Sequence, residues 1–135
     1  MASKGKFDTI LNAQVANGFG NSVNVDGLER LTLQIATAAS GGATAATIKI
    51  YGSSSPTEPT WNNPATPANI YAPKLIYDLD TDSAIQGSSG IVLAGAEICK
   101  EYKINVEQLR WVNIAITGWS AGAISAFLRS ITASR

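Results

Sequence analysis

Apolar and polar residues alternate with a period of two along most of this chain. Leu31, Leu33 and Ile35 are separated by Thr32 and Gln34; Val112, Ile114 and Ile116 are separated by Asn113 and Ala115, with Thr117 after them. That period places one row of side chains in a core and the other at the surface, which predicts strands buried on one face. Further segments read the same way: Phe7 to Val15, Thr47 to Tyr51, Ile91 to Leu93, Tyr102 to Asn105 and Ile124 to Ile131. Between Lys74 and Asp80, Leu75, Tyr77 and Leu79 share one face, with Ile76, Asp78 and Asp80 on the other. Asn17 to Asn21 is a turn rich in Gly and Asn, and Asp82 to Gly90 reads as a loop. Ala94 to Lys100 fits either a helical turn or a bulged strand. Eight or nine short strands without a long helical pattern predict an all-β chain. The expected form is an antiparallel two-sheet sandwich of jelly-roll or Greek-key type.

Two stretches repeat each other. Val23 to Ile35 (VNVDGLERLTLQI) lies over Ile104 to Ile116 (INVEQLRWVNIAI) without a gap, sharing Asn, Val, Leu and Ile at matching places. Past a turn that differs by one residue, Ser40 onward (SGGATAATIK) lies over Ser120 onward (SAGAISAFLR). Each copy reads as a hairpin with an entry corner. A lone hairpin is marginal in water, so two such units must pack face to face or join a larger sheet.

The 135 residues suit a single domain with one core. Residues 1–6 are small and cationic and read as a flexible N-terminal arm; 7–135 read as the sandwich domain. The long loop at 52–73 holds all five prolines, which excludes a central strand or a helix through most of it. Loops of this length are usually functional or disordered. Trp61 argues against simple disorder, because a large ring finds something to pack on.

Charge and chemistry then narrow the picture. Ten basic and ten acidic residues balance to zero, so no overall basic field favours direct nucleic-acid binding. No apolar run approaches the length of a membrane span. Met1 to Lys6 leads into Phe7 and Asp8 without an apolar signal segment, so the chain is expected to be made and kept in a cytosol. Cys99 is the lone cysteine, expected as a small buried apolar group. The absence of histidine removes the Ser/His and Cys/His nucleophile arrangements and the common zinc sites. No catalytic signature is present, no cofactor is implied, and the expectation is that the chain is not an enzyme.

Three groups of residues are candidate sites. Asp78, Asp80 and Asp82 alternate so that their carboxylates share one face of a strand, and oxygen ligands suit calcium, yet Ser83 stands where an EF-hand needs Gly and Ser89 where it needs Glu. A solvated strand edge and turn is the preferred reading, so no metal site is assigned. Glu97, Glu101, Glu107 and Asp26 have the chemistry for glycoside hydrolysis only if a cleft sets two of them a fixed distance apart; Asp26 and Glu107 occupy matching corners, which favours a turn-forming role. Trp61, Tyr71, Trp111 and Trp119, with Tyr51 and Tyr77, suit either saccharide stacking or anchoring of a protein partner. Lys4, Lys6, Trp61, Tyr71 and Trp119 are the protein-contact candidates.

The corner and strand VNVDGLERLTLQI, the IKIYGS ending of the strand before the Pro-rich loop, and KINVEQLRWVNIAITG near the end resemble small virion proteins of tailed bacteriophages. More narrowly, the chain resembles the jelly-roll cement (decoration) proteins of phage heads, in pattern, size and composition from Val23 to Ile131. The resemblance implies a sandwich subunit on the capsid surface that self-associates, with a dimer favoured, and clamps neighbouring subunits of the major capsid protein. It carries no catalytic residues. The alternative from the residues is a carbohydrate- or receptor-binding module of a phage tail or a bacterial enzyme.

Overall fold

A computed structural model describes residues 4–38, 44–62, 71–95 and 97–132, with backbone alone at 4–7 and 130–132. Twelve strands run through them: β1 (Lys4–Gln14), β2 (Gly18–Phe19), β3 (Val23–Asn24), β4 (Arg30–Ala38), β5 (Thr44–Ser53), β6 (Ala72–Pro73), β7 (Ile76–Asp78), β8 (Ser83–Ile85), β9 (Ile91–Gly95), β10 (Cys99–Asn105), β11 (Trp111–Ala121) and β12 (Ala123–Thr132). The first sheet has the order β1-β12-β4-β10-β7-β8. The second has the order β2-β11-β5-β6, with β3 also on β11 and β9 also on β5. Every pairing is antiparallel. The chain is the expected all-β sandwich. The strand number exceeds eight or nine because β2, β6 and β8 are two- or three-residue strands inside segments that read as turn or loop. In the ambiguous stretch, β9 runs to Gly95 and β10 begins at Cys99.

Two expectations are corrected. Lys4 to Lys6 pair with Thr132, Ile131 and Ser130 as the start of β1; that part of the expected arm is strand, and residues 1–3 lie outside the described residues. The copies also do not form two hairpins. β4 pairs with β12 and β5 pairs with β11, so strands of one copy lie beside strands of the other. β4 and β5 belong to opposite sheets, as do β11 and β12. A hairpin would have kept both buried rows on one sheet. The exchange instead lets each copy supply apolar rows to both layers, which close on one core.

The repeated corners make that exchange. Asp26 N–H donates to Asn24 Oδ1 at 2.9 Å, and Glu107 N–H donates to Asn105 Oδ1 at 3.0 Å. Leu28 N–H closes its turn onto Val25 O, and Leu109 N–H onto Val106 O, both at 3.0 Å. The two corners then lock together: Val25 N–H donates to Arg110 O and Val106 N–H to Glu29 O, both at 2.8 Å. Each bond of one corner has its counterpart at the aligned residues of the other, a pseudo-twofold relation across the sandwich.

Between the layers lie Leu31, Leu33 and Ile35 of β4, Ile48 and Ile50 of β5, Ile104 of β10, Val112, Ile114 and Ile116 of β11, and Ile124 and Leu128 of β12. All are at most 1 % exposed, and each such aliphatic side chain contributes about 1.5–3 kcal/mol by leaving water.

Candidate contact surface

The Pro-rich segment determines which outer surface stays open. β5 turns Ile48 and Ile50 inward, so Tyr51 and Ser53 point away from the core, next to Asn113 and Trp111 across the ladder. Ala115 lies on the same outer face and pairs with Phe19 of β2. An outer row of aromatic and small residues would be wet in a simple sandwich. Here Tyr51, Ser53, Asn113 and Ala115 are all buried, because the chain after β5 returns across this face. Trp61 and Tyr71 pack there with Phe19, Tyr51 and Ala115 as a second, smaller core.

The rings meet at edge-on or tilted angles. Centroids are 5.3 Å apart for Phe19 and Tyr51, 5.5 Å for Phe19 and Tyr71, 5.7 Å for Tyr51 and Tyr71, and 4.8 Å for Trp61 and Tyr71. Such contacts add about 0.5–1.5 kcal/mol per pair beyond area burial. Asn62 N–H donates to the Tyr71 hydroxyl at 3.1 Å, fixing the loop to the ring. Burial, with the Tyr71 phenol beside it, raises the pKa of Tyr51. Asn113 satisfies its buried amide by donating to Gly20 O at 3.0 Å and accepting from Ile114 N–H at 2.7 Å.

The contact candidates therefore separate. Tyr71 is 5 % exposed and Trp61 is half-buried in the cluster. Trp119 is half-buried against the main core. Its indole N–H donates to Gly122 O at 2.7 Å and its backbone N–H to Asn17 Oδ1 at 2.8 Å, at the place where the β11–β5 register shifts. Lys4 and Lys6 stand at the free edge of the first sheet, on β1, and their side chains lie outside the described residues. The structure brings Trp61 and Tyr71 together and leaves Trp119 and the two lysines apart from them.

The acidic residues disperse. Asp78 is buried, its Oδ2 accepting from Lys100 Nζ at 2.9 Å and its Oδ1 from the backbone N–H groups of Asp80 and Thr81. The hydrogen bond from Lys100 holds the Asp78 carboxyl below its ordinary pKa, with the two backbone donors adding to it against the cost of burial. Asp80 and Asp82 are exposed in the β7–β8 turn, and no cluster able to hold a metal ion occurs among the described residues. Asp26 and Glu107 sit in the two corners, and Glu101 lies on the outward row of β10. A cavity of about 190 Å³ at the end of the second sheet is lined by Gly52, Ser53, Ser54, Tyr71, Lys74 and Leu109, and by none of these acids. Cys99, expected in the core, is exposed on the outward row of β10. Its Sγ accepts from Gln34 Nε2 of β4 at 3.2 Å. The first residue of a strand at the sandwich end can face out without breaking the pattern inside.

The outer face of the first sheet is different. Among the described residues nothing packs over it. β7 presents Tyr77 there, flanked by Leu75 just before the strand and Leu79 just after it; the three are 39, 40 and 48 % exposed. β4, β10 and β12 present Arg30, Lys103 and Arg129 on the same face, with Thr32 between the last two. Sequence reasoning recognised the outward row of β4 and separated Leu75, Tyr77 and Leu79 from Ile76 and Asp78, without assigning which of those two rows faces out. It missed the grouping, because the pairing that assembles it crosses between the two copies.

No protein-family model matches the chain, and no curated protein does. Among the solved structures that share its fold are two with TM-scores near 0.7. The "SPBc2 prophage-derived protein YomS" superposes with a TM-score of 0.69 at 14% identity, over 97% of this chain and 96% of that one. The "PBSX exported protein XepA" superposes with a TM-score of 0.70 at 14% identity, over 97% of this chain. This chain spans 39% of the length of XepA. At that identity the likeness is one of fold: the sandwich read from the alternation is an arrangement these proteins also adopt.

Proposed function

We propose that this chain is a structural protein of a bacteriophage particle that acts by protein contact and not by catalysis. In its finer form it is a cement subunit that binds the outside of the head and stabilises contacts between major capsid protein subunits, self-associating as a dimer. The observation that carries the proposal is the end-to-end fold match with the prophage-derived YomS, in which each chain covers nearly all of the other. The resemblance of the corner and strand segments to cement proteins points the same way. So does an open, ordered sheet face of the kind that a partner covers. A subunit held at several points needs no single tight contact, since avidity accumulates.

The test incubates purified chain with expanded heads and follows sedimentation together with resistance to heat and to chelator. Co-sedimentation and a raised disruption temperature are expected. Binding to tails and not to heads sinks the cement role while leaving a virion role standing.

A second reading is a binding module of a larger tail protein or enzyme, favoured by the fold's occupying only part of XepA. Its saccharide form is weakened because Trp61 and Tyr71 spend their faces on each other and on Phe19. Glycan binding that is lost in Trp61→Ala or Trp119→Ala would favour it.

A further inference from the structure

We infer that the outer face of the first sheet is a docking face for an acidic, partly apolar segment of a protein partner. The inference rests on the reading of this chain as a protein-contact subunit, and holds whichever virion protein is the partner.

Registers place the chemistry. Arg129 of β12 pairs with Thr32 of β4, Thr32 pairs with Lys103 of β10, and Lys103 pairs with Tyr77 of β7. Arg30 is two residues from Thr32 on the same outward row and pairs with Asn105. Strands about 4.8 Å apart and a rise of about 3.3 Å per residue set the three cations' Cα atoms within about 8–10 Å of one another. None of the three makes an ion pair with a described carboxylate. Glu101, two residues along β10 from Lys103, is the acid on the same outward row. Lys103 Nζ lies 5.5 Å from the centre of the Tyr77 ring, so the cationic bank runs directly into the apolar ridge of Leu75, Tyr77 and Leu79.

This combination selects the partner's chemistry. Three cations with no carboxylate partner among the described residues favour a negative partner by charge complementarity. A nucleic acid or other polyanion would use the cations and leave two aliphatic side chains facing water. An acidic protein segment with apolar residues uses both parts. In the opposite layer Trp61 and Tyr71 cover the outer face about Tyr51 and Ala115, and its open part, where Val92 is 72 % exposed beside Thr47, has no such bank of cations among the described residues.

The experiment titrates the isotope-labelled full chain with a synthetic peptide of alternating Glu and Leu, following amide shifts. A Lys–Leu peptide and a single-stranded DNA oligonucleotide run in parallel. Shifts confined to 30–34, 77–79, 101–105 and 127–129 are expected. Affinity should fall roughly tenfold in the triple variant Arg30→Thr, Lys103→Thr, Arg129→Thr, and clearly in Leu79→Ser. These positions are exposed or half-exposed, and an unchanged unfolding midpoint confirms that each variant folds. Shifts elsewhere, equal binding of the Lys–Leu peptide, tighter binding of DNA, or no binding at millimolar peptide would each overturn the inference. So would self-association that the triple variant abolishes, since the face would then belong to a second copy. Head binding that survives the triple variant keeps the cement proposal and sinks this face; peptide binding here without head binding does the reverse.

Discussion

The paired corners allow a test in which two substitutions at matching places have opposite signs. Gly27 has φ +83° and Gln108, its counterpart, has φ +68°. Both occupy the third position of a turn closed by a 3.0 Å backbone bond, where a type II turn requires positive φ. A non-glycine residue there costs about 1–2 kcal/mol. Glycine avoids that cost but makes the unfolded chain freer, which offsets about 0.4–1 kcal/mol. A Cβ at Gly27 meets nothing within 4 Å, so Gly27→Ala introduces strain without a clash. It should destabilise by about 0.5–1 kcal/mol. Gln108 is exposed and its carbonyl, which accepts from Ser54 Oγ at 2.8 Å, survives substitution. Gln108→Gly should therefore stabilise by about the same amount, and the double variant should return near wild type. Urea unfolding reads these as midpoint shifts of a few tenths of a molar, in opposite directions. A Gln108→Gly that destabilises, or two shifts of the same sign, would refute the claim that both corners carry the same turn under the same backbone constraint.

Three further outcomes follow from single sites. Asp78→Asn, which breaks the pair with Lys100 but keeps the acceptor for the turn, should cost about 1 kcal/mol at neutral pH, the partial exposure of Lys100 keeping it small. Because the folded Asp78 pKa is lowered, that contribution is present above the unfolded carboxyl value of about 4 and is lost as pH falls through the folded value. Because the Lys100 pKa is raised, first by the hydrogen bond to Asp78, the pair also weakens as pH rises beyond about 10.4; thermal unfolding against pH should show wild type and variant converging at both ends. Gly20→Ala should destabilise by about 2–3 kcal/mol, since its Cβ would stand 2.3 Å from Ile10 O and 2.6 Å from Leu11 Cδ2; chemical unfolding measures it. Trp111→Phe should be neutral or stabilising by up to about 1 kcal/mol, because the indole N–H is buried with no acceptor among the described residues and its removal offsets the lost area; a loss above about 2 kcal/mol in the same assay argues for a hidden partner.

The alternation of β4, β5 and β11 was legible because each has one wholly buried row, and a one-residue slip would expose that row. The corners were legible as repeats because Asn24 and Asn105 perform the same hydrogen bond. The strand exchange was not, since period-two patterning fixes which face is buried but not which strand lies alongside. The destination of Trp61 and Tyr71 was hidden for a related reason. Nothing local in GSSSPTEPTW says that Tyr51 points outward into a space that the loop will fill. The rule that a large ring seeks a packing partner was sound, and the partner was the chain itself. Cys99 escaped because a strand's first residue is weakly constrained by the core.

Net charge gave the poorest guide to the surface, and the reason is physical. Asn and Asp side chains satisfy neighbouring backbone N–H groups at the ends of strands: Asn24 and Asn105 do so in the corners that hold Asp26 and Glu107, and Asp78 does so at the β7–β8 turn that holds Asp80 and Asp82. Arg and Lys carry long aliphatic stems that cover a sheet face while their heads stay in water, which suits them to the outward rows of β4, β10 and β12. Of the ten basic residues, Arg30, Lys103 and Arg129 thus gather on the first-sheet face, with Glu101 two residues from Lys103 on the same row. The prolines complete the asymmetry. Held out of any central strand, the described part of their segment covers the second sheet about Tyr51 and Ala115 and leaves the first sheet open. If that sorting determines where a partner docks, binding must weaken steeply with added salt, despite a chain with no net charge. Attachment indifferent to salt would place the contact elsewhere.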